Sequence, residues 1–284
     1  MKVDSEFSTE ATTQAGFNPW PDFPIHLEWG KTGAQLAATK QQIVVLVDVL
    51  SFSTSLSIAC NRGATVLAYS LSELKELGGL KVAAKIMDAQ ASQPNAGRVS
   101  LSPTWMSTVQ QGDRIIATSL NGASCAAICD PSPLVLLGCL RNSTATAKRI
   151  AAELSHTPKV RVTIVPCGER WSSLIDDKKV GDKEIGNRKD WRPGIEDWLG
   201  AGAIANALSV LGLTLSIEAK IAAEMFLNRA NDLPEVLRSS ISGRELIAKG
   251  FDNDVQLAAM VDADPHAVLR NKGRWREFNA SAQT

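Results

Sequence analysis

The sequence predicts an α/β fold: a three-layer α/β/α arrangement around a largely parallel or mixed sheet, followed by a helical C-terminal part. Three observations predict it. The run Ile-Val-Val-Leu-Val at 43 to 47 is aliphatic throughout and ends on Asp48, the pattern of a strand buried on both faces. Runs of that kind alternate with helical stretches, so neighbouring strands are joined by crossovers and lie parallel. With 44% apolar and 21% charged residues in 284, the chain has enough apolar surface for one large core.

In chain order, residues 1–24 are rich in Ser, Thr and Pro and read as a flexible N-terminal arm. Residues 25–284 form the folded part, either one domain or two subdomains with a boundary near 157–193. The strand ending at Asp48 leads through Ser51 to Ser55 into a helix over Leu56 and Ile58. That helix stops at Asn61-Arg62-Gly63, where glycine can turn left-handed. Ala64 to Tyr69 is the next strand. Arg114 to Thr118 is a strand before Asn121-Gly122 and a small-residue helix; Leu134 to Gly138 leads through Asn142-Ser143 into a helix ending near Leu154. Val160 to Val165 leads to Pro166-Cys167-Gly168-Glu169, and the charged segment from there to Asp197 reads as a surface loop. Helices are predicted over Gly194 to Leu211 and over Ile217 to Arg229, the latter with Ile217, Ile221 and Met225 on its inner face. Ser242-Gly243-Arg244-Glu245 reads as a capping box for a helix closing at Gly250, and Asn253 as the cap of the helix after it.

Composition removes several function classes. Thirty basic residues balance thirty acidic ones, and a pI near 6.8 leaves no electrostatic footprint for nucleic acid or an acidic membrane. The longest aliphatic run is far short of a membrane span, and no apolar segment suited to secretion follows the start, so the expected address is cytoplasmic. The expected partner is a small anionic phosphate ester, not nucleic acid or membrane; a homo-oligomer is left open. Five cysteines, at 60, 125, 129, 139 and 167, lack the pairing of a disulfide framework. Cys125-x-x-x-Cys129 has no histidine near it, and a core role explains it better than a metal site.

Textual likenesses to nucleotide motifs fail on context. Gly30-Lys31-Thr32 imitates the end of a P-loop, but Ile25 stands where its first glycine should be. Gly200, Gly202 and Ala205 fit a dinucleotide fingerprint yet follow a helix start; close helix packing explains them. What remains is a set of polar residues at strand ends, Asp48, Asn121, Asn142 and Glu169, which a parallel sheet presents at one edge. A carboxylate there can take Mg²⁺ through hard oxygen, and helix N-termini offer N–H groups to an anion. Each also has a structural role open to it: Asp48 and Asn142 as helix caps, Asn121-Gly122 as a turn, Glu196 and Asp197 as partners of a helix dipole.

The segments Val-Asp48-Val-Leu-Ser-Phe-Ser-Thr54, Thr118-Ser-Leu-Asn121-Gly122, Leu-Gly138-Cys-Leu-Arg-Asn142-Ser-Thr and Cys167-Gly168-Glu169-Arg170 are followed by three more. These are Ile195-Glu196-Asp197-Trp-Leu-Gly-Ala-Gly202, Ser242-Gly-Arg244-Glu-Leu246 and Gly250-Phe-Asp-Asn-Asp254-Val. As an ordered set the chain resembles the ComB family of 2-phosphosulfolactate phosphatases. The resemblance implies a Mg²⁺-dependent hydrolase that releases phosphate from 2-phospho-3-sulfolactate, a step toward sulfolactate and, in some organisms, coenzyme M. The site expected with it places Mg²⁺ on Asp48, Glu169 and one of Glu196 or Asp197, with Asn121 and Asn142 orienting oxygens. Ser53, Thr54, Arg170, Arg192 and Arg244 would bind substrate. A covalent route through phosphorylated Asp48 is the mechanistic rival, and a non-catalytic or substrate-shifted ligand-binding member of the fold is the functional one. Two departures from the family pattern stand out. Ser51 occupies the position of an arginine, and a Gly-Glu-Arg-Gly-Gly stretch is missing near residues 86 to 92, leaving Asp88 and Arg98 as substitutes.

Overall fold

The computed structural model describes residues 23–86, 89–91, 101–170, 191–270 and 277–280. The arm before residue 23, Asp88, Arg98 and the middle of the charged loop lie outside them. The elements are β1 (Ile25–Leu27), α1 (Gly30–Thr39), β2 (Ile43–Val47), α2 (Phe52–Asn61), β3 (Thr65–Tyr69), α3 (Leu71–Glu76), α4 (Leu80–Ile86), β4 (Gln90–Ala91), α5 (Pro103–Met106), β5 (Arg114–Thr118) and α6 (Gly122–Ile128). There follow β6 (Val135–Gly138), a 3₁₀ turn (Leu140–Asn142), α7 (Ser143–His156), β7 (Val162–Pro166), β8 (Glu169–Arg170), β9 (Trp191–Arg192), α8 (Ile195–Val210), α9 (Ile217–Arg229), α10 (Leu233–Ser239), α11 (Ile241–Ala248), α12 (Asp252–Ala258), β10 (Val268–Arg270) and β11 (Glu277–Ala280).

Nine strands form one sheet in the order β1-β7-β2-β6-β10-β11-β3-β5-β4. The stretch marked as a possible boundary therefore carries β7, which lies between β1 and β2 in that sheet. The aliphatic strands pair in parallel, as their double burial requires: β2 lies between β6 and β7, and β3 pairs with β5. Side-chain alternation along β2 feeds two cores. Ile43, Val45 and Val47 pack with α7, α8 and α9, whereas Val44 and Leu46 pack with α1, α2 and α6. This is the three-layer arrangement.

Three local expectations are corrected. The C-terminal part is helical only to α12; β10 and β11 return to the sheet as antiparallel strands that join its two parallel halves through β6 and β3. In α9 the inner face is Ala219, Ala222, Ala223 and Phe226, with Met225 partly buried against the same core as expected, while Ile217 and Ile221 face outward. The reason is proximity: a Cβ at Gly202 of α8 would lie 2.1 Å from the Ala222 carbonyl oxygen, an approach only small residues permit. At the start of α11 the cap is Ser240, whose hydroxyl accepts from the Gly243 N–H, two residues before the predicted cap; Asn253 caps nothing and bonds Thr104 Oγ1.

His26 on β1 is fully buried, and burial, followed by the charge of Arg161, lowers its pKa to about 4. The unfolded chain takes up that proton first, near pH 6.5, so the contribution of neutral His26 is present above 6.5 and lost as pH falls toward 4. Between pH 7 and 4.5 the wild type should lose on the order of 2 kcal/mol more stability than His26→Leu, read from denaturation midpoints. Equal losses in the two proteins would contradict this.

Candidate active site

A strand that ends at the sheet edge hands its chain to a turn, and here the turns after β2, β5 and β7 converge. Asp48, Asn121 and Glu169 from those turns line one cavity of about 280 Å³, with Ser51, Thr118, Ser119, Leu246, Phe251 and Asp254 also in its wall. A larger cavity of about 380 Å³ lies at the opposite edge, near the beginnings of β2, β6 and β7. Its cations, Arg149 and Arg270, are already met by Glu153 and Asp130.

Asp48 sits at the start of two helices at once. Its Oδ1 accepts from the Phe52 N–H of α2 at 3.2 Å and its Oδ2 from the Gly122 N–H of α6 at 2.9 Å. Gly122 is required for that approach, since a Cβ there would be 2.2 Å from the Phe52 ring and 2.8 Å from Asp48 Oδ2. Burial raises the Asp48 pKa to about 6, the Phe52 and Gly122 N–H groups oppose the rise, and the charge of Glu196 adds to it. Asn121 Nδ2 donates to Glu169 Oε1 at 2.6 Å, fixing one oxygen of that carboxylate. Burial and then the charge of Asp48 raise Glu169 to about 7. Beside them the Thr118 hydroxyl is buried in the cavity wall with no hydrogen-bond partner.

Glu169 is held at the rim by aromatic packing. The Trp191 indole donates to the Cys167 carbonyl at 2.7 Å and stacks edge-on with Trp29, whose other neighbour is Trp198. Gly168 passes under that indole with φ +66°, where a Cβ would be 2.4 Å from the ring. The strands β8 and β9 then pair, Arg170 opposite Trp191 and Glu169 opposite Arg192.

Other predicted site residues are placed elsewhere. Asn142 is fully buried and spends its amide on its own turn, Oδ1 accepting from Cys139 N and Nδ2 donating to the Leu137 carbonyl. Ser53 bonds the Asp48 N–H and the Leu46 carbonyl, and Thr54 bonds the Val49 carbonyl, so both hydroxyls close the β2–α2 turn, and neither residue lines the cavity. Asp197 has both oxygens engaged by backbone, Oδ1 by Val49 N at 2.7 Å and Oδ2 by Gly168 N at 2.8 Å. It ties the β2 and β7 turns together. Arg192 is buried against Ser242 Oγ and the Pro193 carbonyl, and Arg244 is exposed on α11 and takes no part in the cavity wall. Glu196 is buried, outside the cavity wall but close enough for its charge to act on Asp48, with Oε2 lacking a hydrogen-bond partner. Among the described residues no three His, Cys, Asp or Glu side chains are grouped to hold a metal, so the set expected around Mg²⁺ does not assemble as such.

Asp254 was not among the predicted site residues. It faces the cavity from α12 while its Oδ1 accepts from Ser102 Oγ and Thr104 N, both at 2.9 Å, anchoring the start of α5. Its signal was the Phe-Asp-Asn-Asp segment. All five cysteines are buried and free, and burial pushes Cys129 and Cys139 up to about 12, which fits inert core thiols. Among the described residues no helix is long and apolar enough to cross a membrane.

No curated protein gives a significant match to the chain. A family model for 2-phosphosulpholactate phosphatase matches residues 31–271, a span that includes every residue lining the cavity of Asp48, Asn121 and Glu169, and the chain belongs to that family of phosphoric monoester hydrolases.

Proposed function

We propose that the chain hydrolyses 2-phospho-3-sulfolactate, or a small phosphorylated acid of similar charge, to the free acid and phosphate with the aid of Mg²⁺. The observation that carries this reading is the convergence of Asp48, Asn121 and Glu169 from three strand ends on one cavity. The donor set fits the ion as a two-carboxylate seat. Asp48 and Glu196 repel each other in a buried place, and Glu196 Oε2 has no hydrogen-bond partner, a vacancy that a hard cation would fill. Mg²⁺ commonly takes one or two carboxylates and completes its shell with phosphate oxygens and water. Asp48 and Glu196 would hold it, and when bound it supplies positive charge to the phosphoryl oxygens.

The chain's own groups do the rest. Cavity-facing Glu169, with Oε1 held by Asn121 and Oε2 accepting the Arg170 N–H at 3.2 Å, takes the proton of the attacking water on the second lone pair of Oε2; a pKa near neutrality suits that transfer. Thr118 and Ser119 offer hydroxyls to the phosphate, and the turns at the starts of α2 and α6 add their favourable dipoles. We place water and not Asp48 as the nucleophile, because the Asp48 carboxylate is assigned to the cation and the Phe52 and Gly122 N–H groups pin its two oxygens toward two helix starts. Phosphate release from 2-phospho-3-sulfolactate should stop in excess EDTA and return with Mg²⁺. Full rate in a metal-free sample would remove the ion from the account, and release only from other phosphate esters would remove this substrate.

A further inference from the structure

The substrate proposed above carries a phosphate and two further anionic groups, yet the cavity wall contains no lysine or arginine and includes Asp48, Glu169 and Asp254. Ser51 stands in the wall where the resemblance led us to expect an arginine. Arg192 is turned to Ser242 and Pro193, and Arg244 lies outside the wall. The proposed cation serves the phosphate, and the protein cations nearest the remaining anionic groups stand at the rim.

At the rim the fold brings two cations together. Strand β1 is parallel to β7, so the chain emerges from β1 at the same edge as Glu169, and α1 begins there. Its first residue, Gly30, packs so closely that a Cβ would be 3.0 Å from the Trp191 indole nitrogen and 3.6 Å from the Cys167 carbonyl oxygen. Trp191 is the cross-strand partner of Arg170. Lys31 therefore stands one residue from the contact that carries Arg170, and Arg170 itself reaches the carbonyl of Leu120, a cavity residue. The first turn of α1 holds no acidic residue, and among the described residues Lys31 is in no ion pair. Partial burial, followed by the charge of Arg170, lowers the Lys31 pKa, which marks two like charges held near each other.

We infer that Lys31, together with Arg170, binds the second anionic group of the substrate, its sulfonate or carboxylate, while the phosphate lies at Asp48 and Glu169. The inference rests on the proposed substrate class and adds a specificity-determining residue to it. It also gives a role to Gly30-Lys31, which is no P-loop here: the lysine meets an anion at a helix start without the glycine-rich cradle.

The test is equilibrium binding by calorimetry of the full-length wild type, Lys31→Gln and Lys31→Arg, titrated with 3-sulfolactate and separately with inorganic phosphate. A charge-assisted contact at a partly solvated rim is worth about tenfold in affinity. Lys31→Gln should weaken 3-sulfolactate by about that factor and phosphate by less than about twofold, and Lys31→Arg should retain most of the sulfolactate affinity. Lys31 is exposed, so the melting temperatures should coincide. Equal weakening of both ligands, no weakening, or no binding of 3-sulfolactate to the wild type would overturn the inference. Phosphate release from the phosphorylated acid judges the phosphatase substrate separately, so the two can fail independently.

Discussion

Asp48→Asn should lower kcat/KM by on the order of a thousandfold while the melting temperature stays within a few degrees of wild type. The carboxylate stands in the cavity wall at the end of β2, and in the proposed reaction it holds the cation that neutralises the phosphate. An amide of the same shape cannot supply that negative charge. The stability effects oppose one another. The amide keeps one acceptor for the N–H groups of Phe52 and Gly122 and turns an NH₂ toward the other, at a cost of about 1 to 2 kcal/mol. It also removes a buried charge that burial and Glu196 disfavour, with the Asp48 pKa raised to about 6, so at pH 8 the exchange relieves a comparable amount. Steady-state kinetics beside a thermal melt separates the two effects, and undiminished turnover would remove Asp48 from the chemistry.

Asp197→Ala has the largest expected effect on stability. The side chain is buried, and its oxygens satisfy the N–H groups of Val49 and Gly168, which belong to the turns carrying Asp48 and Glu169. Removing it leaves two buried donors unpaired, at about 1 to 3 kcal/mol each, or about 2 to 6 kcal/mol together, offset in part because a carboxylate disfavoured by burial and by the charges of Asp48 and Glu196 goes with it. Denaturant midpoints should fall accordingly, with Asp197→Asn intermediate because one acceptor survives. A variant that melts like the wild type and loses only its response to Mg²⁺ would return Asp197 to the metal.

The sheet was legible because its buried strands are written as unbroken aliphatic runs: β2 and β5 lie within a residue or two of their expected bounds. The C-terminal strands β10 and β11 were not, since three or four residues inserted between parallel halves carry no periodicity of their own. The inner face of α9 was misread for a different reason. Apolar spacing favours Ile217 and Ile221, but the partner helix presents Gly202, and contact at that distance selects alanine over isoleucine. At the site, strand-end placement located Asp48, Asn121 and Glu169 correctly at the cavity. The same placement is true of Asn142, and Asp197 stands in the first turn of α8; the sequence has no means of showing that their side chains are consumed by backbone amides and carbonyls. Arginines were the least legible. A long side chain can turn toward a cavity or away from it, and Arg192 turns to Ser242.

The central claim, that phosphate-ester chemistry occurs at the carboxyl edge of the sheet, is tested most directly by a crystal structure of the protein grown with Mg²⁺ and inorganic phosphate. The account predicts phosphate in the cavity of Asp48, Asn121 and Glu169, with the cation against Asp48. Phosphate bound at the opposite edge between Arg149 and Arg270, with the Asp48 cavity empty, would contradict it.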